Sequence, residues 1–179
     1  KWLYTKKAMS WGNPNLWKLR SLLATRILVL NNDMVPRYFS KIKKKTKLIY
    51  LGVNTDFYIP QNKTYTTPLG HQFSEKDFVI ITIANLVPIK GVEYLVDAVN
   101  KINDKRIKLL IVGDNKNEYG KNLIKDNINS NVFFIDKQLD VRPFHAIADL
   151  FVIPTKTSWE GLPVSPLEAM SSQRIVIGS

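Results

Sequence analysis

The sequence predicts an α/β fold built on a doubly wound parallel sheet, and three observations carry that prediction. From Phe78 onward, short apolar runs alternate with segments of helical periodicity. The runs are continuously apolar, as expected of strands buried on both faces. Strict alternation of strand and helix is what a parallel sheet with covering helices requires.

The elements follow in order. "FVIITIA" reads as a strand, "GVEYLVDAVNKI" as a helix, "IKLLIVG" as a strand and "EYGKNLIKDNI" as a helix. "NVFFI", "RPFHAIA", "DLFVIP", "PLEAMSS" and "RIVIG" continue the alternation to the end of the chain. In the first of these helices Val92, Leu95, Val96, Val99 and Ile102 fall at core-facing spacing, which leaves Glu93 and Asn100 to solvent. The earlier part of the chain has a different texture. "NPNLWKLRSLLATR" suggests a helix, "ILVLN" and "KLIYL" suggest strands, and "KIKKKTK" is a basic run between them. "GVNTDFYIPQNKTYTTPLG" is rich in turn formers and poor in periodicity, so it reads as a connection. A domain boundary is placed near Gly52, with residues 1–51 ending one domain and residues 52–179 forming another. Both ends read as cut from something longer.

Composition narrows the function classes. At 45% hydrophobic and 23% charged the chain has the make-up of a soluble globular protein. The absence of cysteine excludes disulfides, thiolate metal sites and a cysteine nucleophile, and two histidines, His71 and His145, disfavour a histidine-rich metal site. A net charge of +11 fits a polyanionic partner, whether nucleotide phosphates, nucleic acid or an acidic membrane surface, and equally fits a biased codon composition. No apolar run approaches the ~18 residues that span a bilayer, and the start does not resemble a secretory signal.

In open parallel sheets ligands bind beyond the carboxyl ends of the strands, so residues 84–91, 113–117 and 154–165 are the loops in which to seek chemistry. No G-x-G-x-x-G follows a strand, "YGKN" is not a P-loop and there is no D-x-D, so bound phosphate must rely on amides, lysines and helix N-termini. Lys90 precedes a helix, where its ammonium and the helix's positive end can address one anion together, although the loop by itself favours a solvated turn residue. Ser165-Pro166-Leu167-Glu168 fits a capping box, which alone explains Glu168. Glu160, five residues before the cap, has no such explanation and can accept hydrogen bonds from ligand hydroxyls, while Gly161 lets the backbone approach closely. Asp114 reads as a turn former or a ligand contact. His145 reads as an ordinary helix residue, and the lysine run as a solvated turn or a contact for anionic lipid headgroups.

Together these stretches resemble the group 1 retaining glycosyltransferases of GT-B fold, a metal-independent nucleotide-sugar family. "NTDFY" is similar to the family's entry into its C-terminal domain, "ANLVPIKGVEYLVDAV" to its phosphate loop and helix, and "DLFVIPTKTSWEGLPVSPLEAM" to its Glu-x7-Glu segment. The resemblance implies a C-terminal nucleotide-sugar domain, incomplete at its end, preceded by a remnant of the acceptor domain. It implies that Lys90 contacts the donor diphosphate, that Glu168 holds the ribose hydroxyls and that Glu160 addresses the donor sugar near its reacting carbon. The amides of Gly161 and Leu162 would lie near sugar and phosphates, and Lys137 and Gln138 would line the base. Asn85 stands where the family commonly has an arginine on the diphosphate, so the missing charge would fall to Lys90 or to a cation such as Lys156. Pro163 replaces a second glycine in a familiar variant of the motif.

The implied partners are a UDP- or GDP-sugar donor and a saccharide or lipid-linked acceptor, with no metal or other cofactor, no nucleic acid, and a cytoplasmic location that can include the inner membrane face. The implied reaction serves polysaccharide or glycolipid biosynthesis. A non-catalytic nucleotide- or sugar-binding module is the alternative reading.

Overall fold

The computed structural model describes residues 3–6, 14–102, 104–127, 131–156 and 162–178, and all structural statements concern these. Contacts divide them into two units, one within Lys1–Gly52 and Thr157–Val164, the other within Val53–Lys156 and Ser165–Ser179.

The first unit is a three-stranded parallel sheet in the order β1-β2-β3. Its elements are β1 (Leu3–Lys6), α1 (Pro14–Leu23), β2 (Arg26–Val29), α2 (Met34–Tyr38) and β3 (Thr46–Leu48). Ile27, Val29, Met34 and Phe39 form its buried centre. β3 is shorter than the run "KLIYL" suggests because its partner ends first. Val29 pairs with Leu48, and one further bond, from the Ile49 N–H to the Val29 carbonyl, closes the ladder. The lysine run forms two short helical turns across Ser40–Lys45, kinked at Ile42. Lys45 Nζ donates to the Leu22 carbonyl at 2.8 Å, so this lysine is tied to α1.

The second unit holds β4 (Phe78–Ile83), α3 (Val92–Ile102), β5 (Ile107–Val112), α4 (Glu118–Asp126), β6 (Val132–Ile135), α5 (Arg142–Ile147), β7 (Leu150–Ile153), α6 (Ser165–Ser171) and β8 (Ile175–Gly178). Its strands are all parallel, in the order β6-β5-β4-β7-β8. The chain winds outward from β4 through β5 to β6, then returns to the other side of β4 for β7 and β8. This is the doubly wound order, with its switch point between β4 and β7.

Period-two alternation sends successive strand residues to opposite faces. Val79, Ile81, Leu110, Val112 and Ile135 pack with Phe144, Ile147 and Ala169 of α5 and α6. Ile80, Leu109, Ile111 and Val132 pack with Val92, Leu95, Val96, Val99 and Leu123 of α3 and α4. Both faces of the central strands are covered, which is why these read as near-continuous apolar runs, whereas Ile175 and Ile177 of the edge strand β8 are exposed.

Two residues of α3 depart from the sequence expectation. Ile102 is exposed, because at 100° per residue it lies about 80° round the helix from Val92, at the margin of the buried stripe. Glu93 is half-buried and paired, on the opposite margin.

Candidate functional site

Beyond the carboxyl ends of β4, β5 and β6 lies a cleft of about 240 Å³. It is lined by Ala84, Asn85 and Lys90 after β4, by Val112 and Gly113 at the end of β5, and by Lys137, Gln138 and Val141 before α5. The fold thus gathers Asn85, Lys90, Lys137 and Gln138, four residues scattered over more than fifty positions of sequence, into one concavity.

Hydrogen bonds that outrun the strands hold the cleft's walls. The Ala84 N–H donates to the Val112 carbonyl at 3.0 Å, Leu86 N–H to Asp114 at 2.9 Å and Gly113 N–H to Ile135 at 3.0 Å. Asn117 works in two directions. Its side-chain oxygen caps α4 by accepting the Gly120 N–H at 2.8 Å, and its Nδ2 donates to the Leu86 carbonyl at 2.7 Å. Gly113 is sterically required, since a Cβ there would stand 1.8 Å from the Ala84 carbonyl oxygen.

Lys90 ends a 3-10 turn, Pro88–Lys90, that leads through Gly91 into α3. Burial pulls its ammonium below the ordinary lysine value, the direction expected of a cation that has lost part of its water. Gly91 is left-handed, φ +63, and a Cβ there would lie 2.0 Å from the Pro154 carbonyl oxygen. Gly91→Ala therefore should cost about 2 kcal/mol in urea unfolding, from strained backbone and a displaced Pro154. An unchanged midpoint would mean that the loop repacks freely.

Lys156, the cation suggested to stand in for the missing arginine, is engaged outside the cleft. Its ammonium pairs with Glu93 and lies 4.5 Å from the Tyr94 ring centroid, and it does not line the cleft. Glu93 also accepts the Tyr119 hydroxyl at 2.5 Å. Burial alone would raise the Glu93 carboxyl, but the hydrogen bonds from Lys156 and Tyr119 outweigh it and hold the group below the usual carboxylate range. The Lys156 N–H donates to the Ile89 carbonyl at 2.9 Å, so the pair fastens the β7 loop to the turn that carries Lys90.

The other expected residues fall as follows. Glu160 and Gly161 lie outside the described residues. Leu162 packs its side chain against the core of the first unit. Asp114 closes a turn, its Oδ1 accepting the Lys116 N–H at 3.1 Å. Glu168 stands in the first turn of α6, and burial first, with this carboxylate nearby, pushes the Tyr58 phenol up to about 12. His145 lies in α5, buried between the rings of Tyr58 and Phe151, and neither ring nitrogen has a hydrogen-bond partner among the described residues. Among the described residues no group of three or more His, Asp or Glu side chains is arranged to hold a metal, and no helix is long and apolar enough to cross a membrane.

The structure is similar to that of HepE from Anabaena in complex with UDP and glucose, with a TM-score of 0.80 at 21% identity over 98% of this chain and 52% of that one. A glycosyltransferase from Rickettsia africae matches at TM-score 0.76 and 19% identity, covering 98% of this chain and 50% of its own. In sequence the chain is 24% identical over 160 residues to the Escherichia coli O-antigen biosynthesis glycosyltransferase WclY, which is 88% of this chain and 44% of WclY. The chain spans about half the length of these relatives. Its fold is the α/β, Rossmann-like type of the GT-B glycosyltransferases. Residues 77–179 match the profile of the family described as glycosyl transferases group 1, and the chain belongs to that family.

Proposed function

We propose that the chain binds the donor of a retaining glycosyltransferase, a nucleotide diphosphosugar, with the diphosphate at Lys90 and the base beside Lys137 and Gln138. The observation that carries this reading is the cleft at the carboxyl ends of β4, β5 and β6, where two lysines, Asn85 and Gln138 converge. HepE, similar in fold, is known in complex with UDP-glucose, which favours UDP as the nucleotide. WclY, of O-antigen biosynthesis, favours a polysaccharide product.

In the reaction, the bond between the sugar's anomeric carbon and the diphosphate oxygen breaks while one forms to an acceptor hydroxyl on the same face. The acceptor's proton passes to the departing phosphate oxygen, and nucleoside diphosphate is released. Negative charge grows on the leaving group, and Lys90, a fixed cation in a partly dry cleft, is placed to stabilise it. Glu168 would receive the ribose hydroxyls and Glu160 the donor sugar. The reading assigns no step to a metal.

Thermal unfolding with UDP, GDP and ADP tests the proposal. A nucleotide at 100 times its Kd stabilises by about 2.7 kcal/mol, a rise in Tm of about 5–10 °C for a chain of this size. UDP is expected to give the largest rise, and no response to any of the three would overturn the reading.

A further inference from the structure

The turn that presents Lys90 is braced on both sides. Before it, the Leu86 carbonyl accepts from Asn117 Nδ2 at 2.7 Å and the Ile89 carbonyl from the Lys156 N–H at 2.9 Å. After it, in the first turn of α3, Glu93 receives two donors on different oxygens: the Tyr119 hydroxyl on Oε2, at 2.5 Å, and the Lys156 ammonium on Oε1. Tyr119 belongs to α4 and Lys156 to the loop after β7, so three elements meet at this one carboxylate. Lys156 grips the turn twice, by its backbone at Ile89 and by its side chain at Glu93. Lys90 lines the cleft, whereas Glu93, Tyr119 and Lys156 do not.

We propose that Glu93 is a positioning residue for the donor diphosphate: by tying Lys156 and Tyr119 to the start of α3 it fixes the Pro88–Lys90 turn, and with it the place of the Lys90 ammonium. The inference rests on the reading of Lys90 as the diphosphate contact. A lysine on a loose turn is ordered only when the nucleotide arrives, at the expense of affinity, whereas a turn fixed at folding leaves less to immobilise. The sign of the effect separates positioning from plain electrostatics. Glu93 is an anion three residues after Lys90, and its loss would free the Lys156 ammonium, so on charge alone its removal tightens the binding of a diphosphate. Positioning requires the opposite, a loss of affinity when a negative charge is taken away.

Glu93→Ala removes both bonds, and Glu93→Gln keeps an acceptor oxygen for one of them. Calorimetric titration with UDP, and with uridine in competition against it, reads the effect. UDP is expected to bind Glu93→Ala about fivefold to tenfold more weakly, the cost of ordering one or two groups on binding, while uridine, which has no diphosphate, binds both proteins alike. Glu93→Gln should fall between wild type and Glu93→Ala. Tyr119→Phe, which removes one bond with no change of charge, should weaken UDP by about twofold to threefold and serves as the test should Glu93→Ala not fold. Tighter or unchanged UDP binding by Glu93→Ala overturns the inference, and so does equal weakening of UDP and uridine, which marks Glu93 as merely structural. In a Lys90→Ala background Glu93→Ala should have no further effect, and additive losses would overturn the coupling. A wild type that binds UDP but is indifferent to Lys90→Ala removes Lys90 as the diphosphate contact, and the inference with it. A wild type that binds no nucleotide fails earlier, at the proposed function, and takes the inference down with it.

Discussion

On the proposed reading, Lys90→Ala in the complete enzyme is expected to lower kcat for sugar transfer by about 10²-fold or more, the scale seen when one preorganised donor is removed from a developing charge. The physical basis is that the ammonium is most needed when the diphosphate departs. Two features of the cleft concentrate the demand on this residue. Asn85 donates hydrogen bonds but brings no charge, and Lys156 is held by Glu93. The cations lining the cleft among the described residues are then Lys90 and Lys137, of which Lys137 is the exposed one. Burial has already stripped Lys90 of part of its hydration, so its interaction with an incoming diphosphate is less screened than that of a surface lysine. Steady-state kinetics with nucleoside diphosphate release as readout separates the possibilities. A raised KM at unchanged kcat would show that Lys90 binds ground state and transition state equally. Unchanged kinetics would remove it from the mechanism.

The sheet was legible because burial on both faces writes itself as uninterrupted apolar runs, and each of the five runs from Phe78 became a strand. The three-stranded unit was legible only in part. β1 spans "LYTK", four residues without an apolar run, and α2 spans "MVPRY", whose internal proline reads as a helix breaker. Pro36 is tolerated there because the third residue of a helix has no intrahelical acceptor for an N–H in any case. Of the residues lining the cleft, Lys90 was marked by its place in the loop between a strand and a helix, and Asn85, Lys137 and Gln138 through a family resemblance. What sequence spacing does not carry is pairing across elements. Glu93 and Lys156 are 63 positions apart. Their ion pair consumed the cation that local reasoning had offered to the diphosphate, and Glu93 read as a solvent-facing residue because its partner came from another loop.

The second large effect belongs to His145, and it is an effect of pH on stability. The side chain is 1% exposed, both nitrogens lack partners among the described residues, and its ordinary value of 6.5 is lowered to about 4. Burial is the main cause, and the positive charge of Arg174 adds to it. The rings of Tyr58 and Phe151 that flank it offer no carboxylate to stabilise an imidazolium. Between these two values the unfolded chain binds a proton at this position that the folded chain refuses. Stability therefore rises with pH across the window and is lost as pH falls from about 6.5 toward 4, by about 3 kcal/mol in all. Above 6.5 the residue is neutral in both states and contributes no slope. Asp104, Asp136 and Asp140 are held below their ordinary value, so their own acid losses set in at the foot of this window and below it. His145→Phe keeps a flat ring between Tyr58 and Phe151 and removes two buried polar atoms that have nothing to bond. Urea unfolding at pH 7 and pH 5 should show the variant at least as stable as wild type at the higher pH, since an unsatisfied buried polar group costs about 1–3 kcal/mol. It should lose much less of that stability on acidification. A variant that retains the wild-type slope would place the acid sensitivity elsewhere, and would mean that the imidazole finds a proton acceptor when charged.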